Sequence, residues 1–156
     1  MNRRISAGWG AFHKNKEFFT SKRTTLNLKW KLCVQTVLPA FIYGCECWTM
    51  TKSDWHKVEV AYRKMLRKMV GVNLLHRRSN DWLLSRIGAK PLREIVEERM
   101  EKWARRLAEM EPNRWPSRIL TWTPYDRSRK PGRPAPRWRD PIAAKFGINW
   151  LRKMKR

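Results

Sequence analysis

The sequence predicts an all-α protein, a small irregular helical bundle of about five helices with a basic Pro/Arg-rich C-terminal extension. Three observations carry this. Apolar residues recur at three- and four-residue intervals across most of residues 1–111. Alternating, β-branched runs of the kind that make strands are weak. Seven of the nine prolines lie at position 112 or beyond, where helical periodicity gives way to basic, extended composition. We therefore expect a helical domain over 1–111 and a basic, partly extended tail over 112–156 that ends in a short helix.

The elements follow in order. Ile5, Trp9, Phe12 and Phe19 share one face, which predicts a helix over 3–19 despite Gly8 and Gly10. TSKRTT at 20–25 is a polar connector, and Asn27 is a candidate cap. Trp30, Cys33, Val34, Val37, Leu38, Phe41 and Ile42 then recur at helical spacing. This second helix is apolar enough to form the centre of the fold, with a kink expected at Pro39. Ser53 or Asp54 starts a third helix that Gly71 ends. Ser79 or Asn80 caps a fourth, which stops at Gly88. Pro91 fits the first turn of a fifth. That helix carries the stripe Leu92, Ile95, Val96, Met100, Trp103, Leu107 and Met110, with Glu94, Glu97, Glu98 and Glu101 on a solvent-facing side. Beyond Pro112, a short helix through Arg118–Trp122 and an amphipathic segment from Trp138 to Trp150 are expected.

A chain of 156 residues fits one domain, or one domain with a tail, and suffices to bury a core. Its 36 Lys and Arg face 13 Asp and Glu, a net charge of +23. Such self-repulsion opposes compaction unless a polyanion neutralises it. Nucleic acid meets that need better than an anionic membrane surface does, and a merely soluble basic protein is the plain alternative. Residues 112–156 alone hold 13 Lys and Arg against Asp126 and Asp140. Most of the ten tryptophans are expected to be core anchors, a minority base-stacking platforms. Three cysteines, an odd number, suit a reducing compartment. MNRRISAGWG lacks the apolar run of a signal peptide, and the stretch 32–45 is too short to span a bilayer. The expectation is a soluble intracellular, nuclear protein.

Catalytic patterns are scarce. Cys45, Cys47 and His56 give three potential ligands where a structural zinc wants four. No Asp-Asp pair offers to hold the divalent ions of polynucleotide chemistry, and no phosphate-cradling glycine loop is present. We expect no catalysis by this chain alone, no cofactor and no metal. What remains is binding. Arg63, Lys64, Arg67 and Lys68 fall on the arc of the third helix opposite its apolar face, and no acid interrupts them. Arg77 and Arg78 lie in the loop that follows. The arc is a phosphate-contacting ridge or a solvated face. In RSRKPGRPAPRWR (127–139), Arg129, Lys130, Arg133, Arg137 and Arg139 punctuate a Pro-rich run around Gly132. That run resembles the core of an AT-hook, narrow enough for a minor groove, or else it is a flexible basic connector.

Five stretches resemble, in order, the segment behind the polymerase palm of non-LTR (LINE-type) retrotransposon reverse transcriptases. LPAFIYGCECWTMTK (38–52) is similar to LPxLxYGxExWTLTK, and YRKMLRKMVGV (62–72) to a basic stretch ending LRxIxGI. RIGAKPLREIVEERMEKWARRLAEM (86–110) is similar to RxGxxPLxxxIxxRRLRWxGHVxRM. GRPAPRWRDPI (132–142) is similar to GRPxxRWxDDI, and FGINWLRKMKR (146–156) to xGxxWxxxAxDR. RRISAGWGAFHKNKEFF (3–19) matches the segment leading in. The resemblance implies a thumb-like, post-polymerase helical region without the palm's aspartates or an endonuclease. Its partners would be RNA, DNA or RNA–DNA hybrid and the remainder of a reverse transcriptase, and membranes would not be among them. Arg105-Arg106 replaces the family's Gly-His, and Asp140-Pro141 its Asp-Asp, departures that point to relaxed constraint. A host-adopted DNA- or RNA-binding protein, or an inactive transposon remnant, would carry the same residues.

Overall fold

In the computed structural model, which describes residues 1–121 and 137–154, every regular element among those residues is helical. They fall into two compact units, Met1–Cys45 with Met50–Val96, and Glu46–Thr49 with Glu97–Arg156. Composition shifts at Pro112, whereas packing divides the chain inside its fifth long helix.

The first unit is built around two close approaches. Helix α1 (Asn2–Lys14) packs against α4 (Leu38–Phe41). Gly8 permits this, because a Cβ there would stand 2.4 Å from Phe41 Cδ2. The helix expected over 3–19 is two helices: the chain breaks at Asn15, and α2 (Lys16–Thr20) follows. The break lets Phe19 fold back on Phe12, the rings stacked with centroids 4.7 Å apart and both side chains wholly buried.

Helix α3 (Leu26–Leu32) runs through a π-helical turn, Cys33–Val37, into α4 without leaving the helical path. Thr25, not Asn27, holds the cap position. The wide turn has a cause two residues on: Pro39 has no N–H to offer the carbonyl of Gln35, and its ring crowds that oxygen. The chain responds by lengthening the turn, so that the Leu38 N–H donates to Cys33 O. Cys33, Val37, Leu38, Phe41 and Ile42 are buried as the periodicity predicts, but Val34 faces solvent.

Helix α5 (Lys52–Val70) starts at Thr51, whose hydroxyl accepts from the Asp54 N–H at 3.1 Å and donates to its carboxylate. That hydroxyl, more than any other neighbour, holds the Asp54 carboxyl below its usual range. The helix ends at Gly71, left-handed at φ 80, as expected. Val58, Tyr62, Met65, Leu66 and Met69 are buried, and α2, α3 and α6 (Asn80–Ile87) pack beside α5. Lys29 of α3 is the one buried charged side chain among the described residues, 5% exposed. Its ammonium donates to Met69 O at 3.0 Å, where the last turn of α5 leaves carbonyls unpaired. Burial pulls its pKa below the ordinary lysine value. Ser79 caps α6 and Gly88 closes it in the left-handed region, again as expected.

Helix α7 (Leu92–Glu109) contributes its first residues, through Val96, to the first unit and its remainder to the second. In the second unit, Ala104 and Ala108 pack with Ile142, Trp150 and Met154, and Trp138, Ala143, Phe146 and Leu151 line the edge. The segment expected from Trp138 to Trp150 is two short helices, α9 (Asp140–Phe146) and α10 (Trp150–Met154), parted by Gly147. Helix α8 spans Trp115–Thr121. The count of about five helices is thus corrected to ten α-helical segments among the described residues. The five expected ones are present in outline, the first and second divided at Asn15 and by the π turn. Helix α8 covers the described part of the short helix expected through Arg118–Trp122, Trp122 lying outside the described residues, and Gly147 divides the expected terminal segment. Glu94, Glu97 and Glu98 are exposed on α7 as expected, but Glu101 is half-buried and takes the Lys145 ammonium.

Candidate nucleic-acid interface

The basic arc of α5 forms one wall of a groove of about 880 Å³ in the first unit. Arg63, Lys64, Arg67 and Lys68 all line it. Trp9 and His13 of α1 face them, and the loop after α5 closes the end with Val72, Asn73, Leu74 and Leu75. No carboxylate is among the lining residues. The arrangement pairs cations with an apolar floor, which suits a ligand carrying both anionic and apolar surface.

The four cations are not equivalent. Arg63 Nη1 lies 3.6 Å from Glu59, which also meets Arg93 Nε at 3.4 Å. Glu59 is one turn back and about 40° around the helix, at the edge of the arc, so an i,i+4 pair does form there. Arg67 is pinned: its Nη2 donates to Asn80 Oδ1 at 2.9 Å and to Arg78 O at 3.4 Å. Lys68 Nζ lies 5.6 Å from the Trp9 ring centroid, in cation–π range. Lys64 is exposed, with no partner among the described residues.

Arg77 and Arg78 do not line the groove. Arg77 ends the short 3₁₀ turn Leu74–His76 in a left-handed conformation at φ 48, and the Arg78 guanidinium stacks 5.1 Å from the Trp82 centroid. Both are exposed. Arg137 and Arg139 belong to the second unit, both exposed at the start of α9, where the Arg137 N–H donates to Asp140 Oδ2 at 2.6 Å. Arg129, Lys130 and Arg133, with the AT-hook-like run, lie outside the described residues.

Two features escape the sequence reading. One is the apolar component of the groove. Leu74 is 76% and Leu75 is 87% exposed, in a stretch that reads on periodicity as a nondescript loop. The other is a second basic recess, in the second unit, lined by Arg99, Lys102 and Arg106 of α7 with Trp103, Glu46 and Cys47. The spacing of those three cations on one helical strip is visible in the sequence, but the neighbouring glutamates draw the eye to the opposite reading.

No group of three metal-ligating side chains occurs among the described residues. Cys33 and Cys45 are buried and Cys47 is exposed. Burial pushes the Cys33 thiol up to about 12. It also raises the Tyr62 phenol, which donates to Lys90 O at 3.1 Å and has Cys33 nearby. We therefore expect one fast-reacting thiol at pH 8, with the other two reacting on denaturation. Cys47→Ser should remove the fast phase in a disulfide-exchange dye assay and leave the other two unchanged.

No family model matches the chain, and no solved structure does either. It is 30% identical over 148 residues to an uncharacterized transposon-derived protein of Caenorhabditis elegans, across 91% of this chain and 52% of that protein. The chain thus spans about half the length of the curated relative it matches. The likeness links it to transposon-derived sequence.

Proposed function

We propose that this chain is a nucleic-acid-binding, non-catalytic part of a non-LTR retrotransposon reverse transcriptase, the helical region that grips template behind a polymerase palm. The observation that carries the reading is the carboxylate-free cationic groove on α5. Its four α5 cations lie within the stretch 62–72 that resembles the family's basic segment. The net charge of +23 and the likeness to a transposon-derived protein support it. So does the departure at Pro141: it falls in the first turn of α9, where a proline forfeits no helical hydrogen bond. A folded binding piece survives that change. Its partners would be RNA, DNA or their hybrid, in the nucleus, together with the remainder of the polymerase. No helix among the described residues is long and apolar enough to cross a membrane.

The test is a titration of the full chain with RNA–DNA hybrid, duplex DNA and single-stranded RNA across a salt series. Four neutralised phosphates predict about a hundredfold loss of affinity between about 50 and about 200 mM salt. Affinity indifferent to salt, or a folded chain that ignores all three ligands, removes the proposal.

A further inference from the structure

We infer that the groove on α5 is a site for unpaired nucleotides, taking base faces on its leucine-lined end while its cations hold the flanking phosphates. This deepens the reading above and rests on it. The argument starts from Leu74 and Leu75, which stand 76% and 87% exposed at the end of the groove. Exposed leucines side by side are unfavourable in water and ask for a ligand that covers them.

Their exposure is built, not slack. Asn73 and His76 cap the turn reciprocally: the His76 ring accepts from the Asn73 N–H at 3.3 Å. Arg67 ties the far side of the loop through Arg78 O and Asn80. Arg77 holds φ 48, a conformation that costs a non-glycine residue free energy. A loop fastened at three points, one of them strained, presents its leucines to the groove at a fixed place.

The ligand must then satisfy leucines and ammonium groups within one depression. A paired duplex stacks its base faces inside and offers mainly sugar and phosphate outside. It would meet Lys64 and Lys68 and leave the leucines wet. An unpaired strand offers base faces next to phosphates, and its binding sites combine basic grooves with apolar and aromatic platforms for that reason. Trp9 adds such a surface to the same groove. An acidic amphipathic peptide has the same two components, but the net charge of +23 is spread far beyond this groove and favours a long polyanion.

The experiment uses the full chain and a fluorescein-labelled 15-mer of mixed sequence, alone and annealed to its complement, at about 0.1 M salt. Wild type should bind the unpaired strand more tightly than the duplex. Leu74→Ser with Leu75→Ser should weaken the unpaired strand about tenfold and leave duplex affinity within about twofold. Because both side chains are exposed, the melting curve should not move. Leu74→Met with Leu75→Met, which keeps the apolar surface, should retain wild-type binding. Equal affinity for both ligands in wild type, or a serine variant that keeps its hold on the unpaired strand, overturns this inference while nucleic-acid binding stands. Loss of all polynucleotide binding by wild type overturns both. A Glu/Leu-rich 18-residue helical peptide that displaces the strand, and itself depends on the leucines, overturns it in favour of a protein ligand.

Discussion

Phe41→Ala should lower the unfolding free energy by about 3–5 kcal/mol, read as a fall in the urea midpoint at unchanged slope. Phe41 is wholly buried at the point where α1 and α4 come closest. A small domain has a total stability of about 5–15 kcal/mol, so this change alone brings it near the edge of folding. The sharper form of the prediction couples Phe41 to Gly8. In the wild-type background, Gly8→Ala places a methyl 2.4 Å from Phe41 Cδ2 and 3.0 Å from Phe41 Cβ. Overpacking of that kind costs about 1–3 kcal/mol, which outweighs the gain of up to about 1 kcal/mol from replacing glycine inside a helix. With Phe41 already alanine the 2.4 Å clash with Cδ2 is removed and only the 3.0 Å approach to Cβ remains, so the same Gly8→Ala should cost distinctly less. A cost that shrinks from one background to the other is the signature of direct contact in a double-mutant cycle. Strict additivity would mean that the helices do not meet there.

This pair also shows what the sequence could and could not reveal. Gly8 and Gly10 look alike as helix-weakening residues, yet a Cβ at Gly10 meets nothing within 4 Å. Only the partner helix distinguishes them. The long helices were legible because their ends carry local chemistry: Ser79, Gly71 and Gly88 act on their own backbone, and the apolar faces of α5 and α7 need no distant information. Features that depend on a partner remote in sequence were not. Lys29 reads as an ordinary cation, and only the end of α5, forty residues on, explains its burial. The π turn answers to Pro39, whose effect reads as a kink until the lost hydrogen bond is traced. The cationic wall of the groove was visible as an arc on one helix, whereas its floor gathers residues from α1 and from the 72–75 loop.

Replacing Arg63, Lys64, Arg67 and Lys68 together by Gln should weaken polynucleotide binding by up to about 10³-fold at about 0.1 M salt and flatten the salt dependence by nearly four units of log–log slope. The geometry divides this effect unequally. Lys64→Gln with Lys68→Gln removes ammonium groups whose one partner among the described residues is the Trp9 ring. That variant should lose about half of the slope and melt close to wild type. Arg63→Gln with Arg67→Gln releases Glu59 from one partner and unties the loop from Asn80 and Arg78 O. A surface ion pair contributes about 0–1 kcal/mol, so stability should fall only modestly. The freed loop, however, should blunt the discrimination between unpaired and paired strands as well as the affinity. The two double variants therefore separate charge from architecture: both reduce the salt slope, but only the arginine pair changes ligand preference. If all four replacements leave binding and its salt slope untouched, the arc is a solvated face, and the polyanion is held elsewhere on this chain.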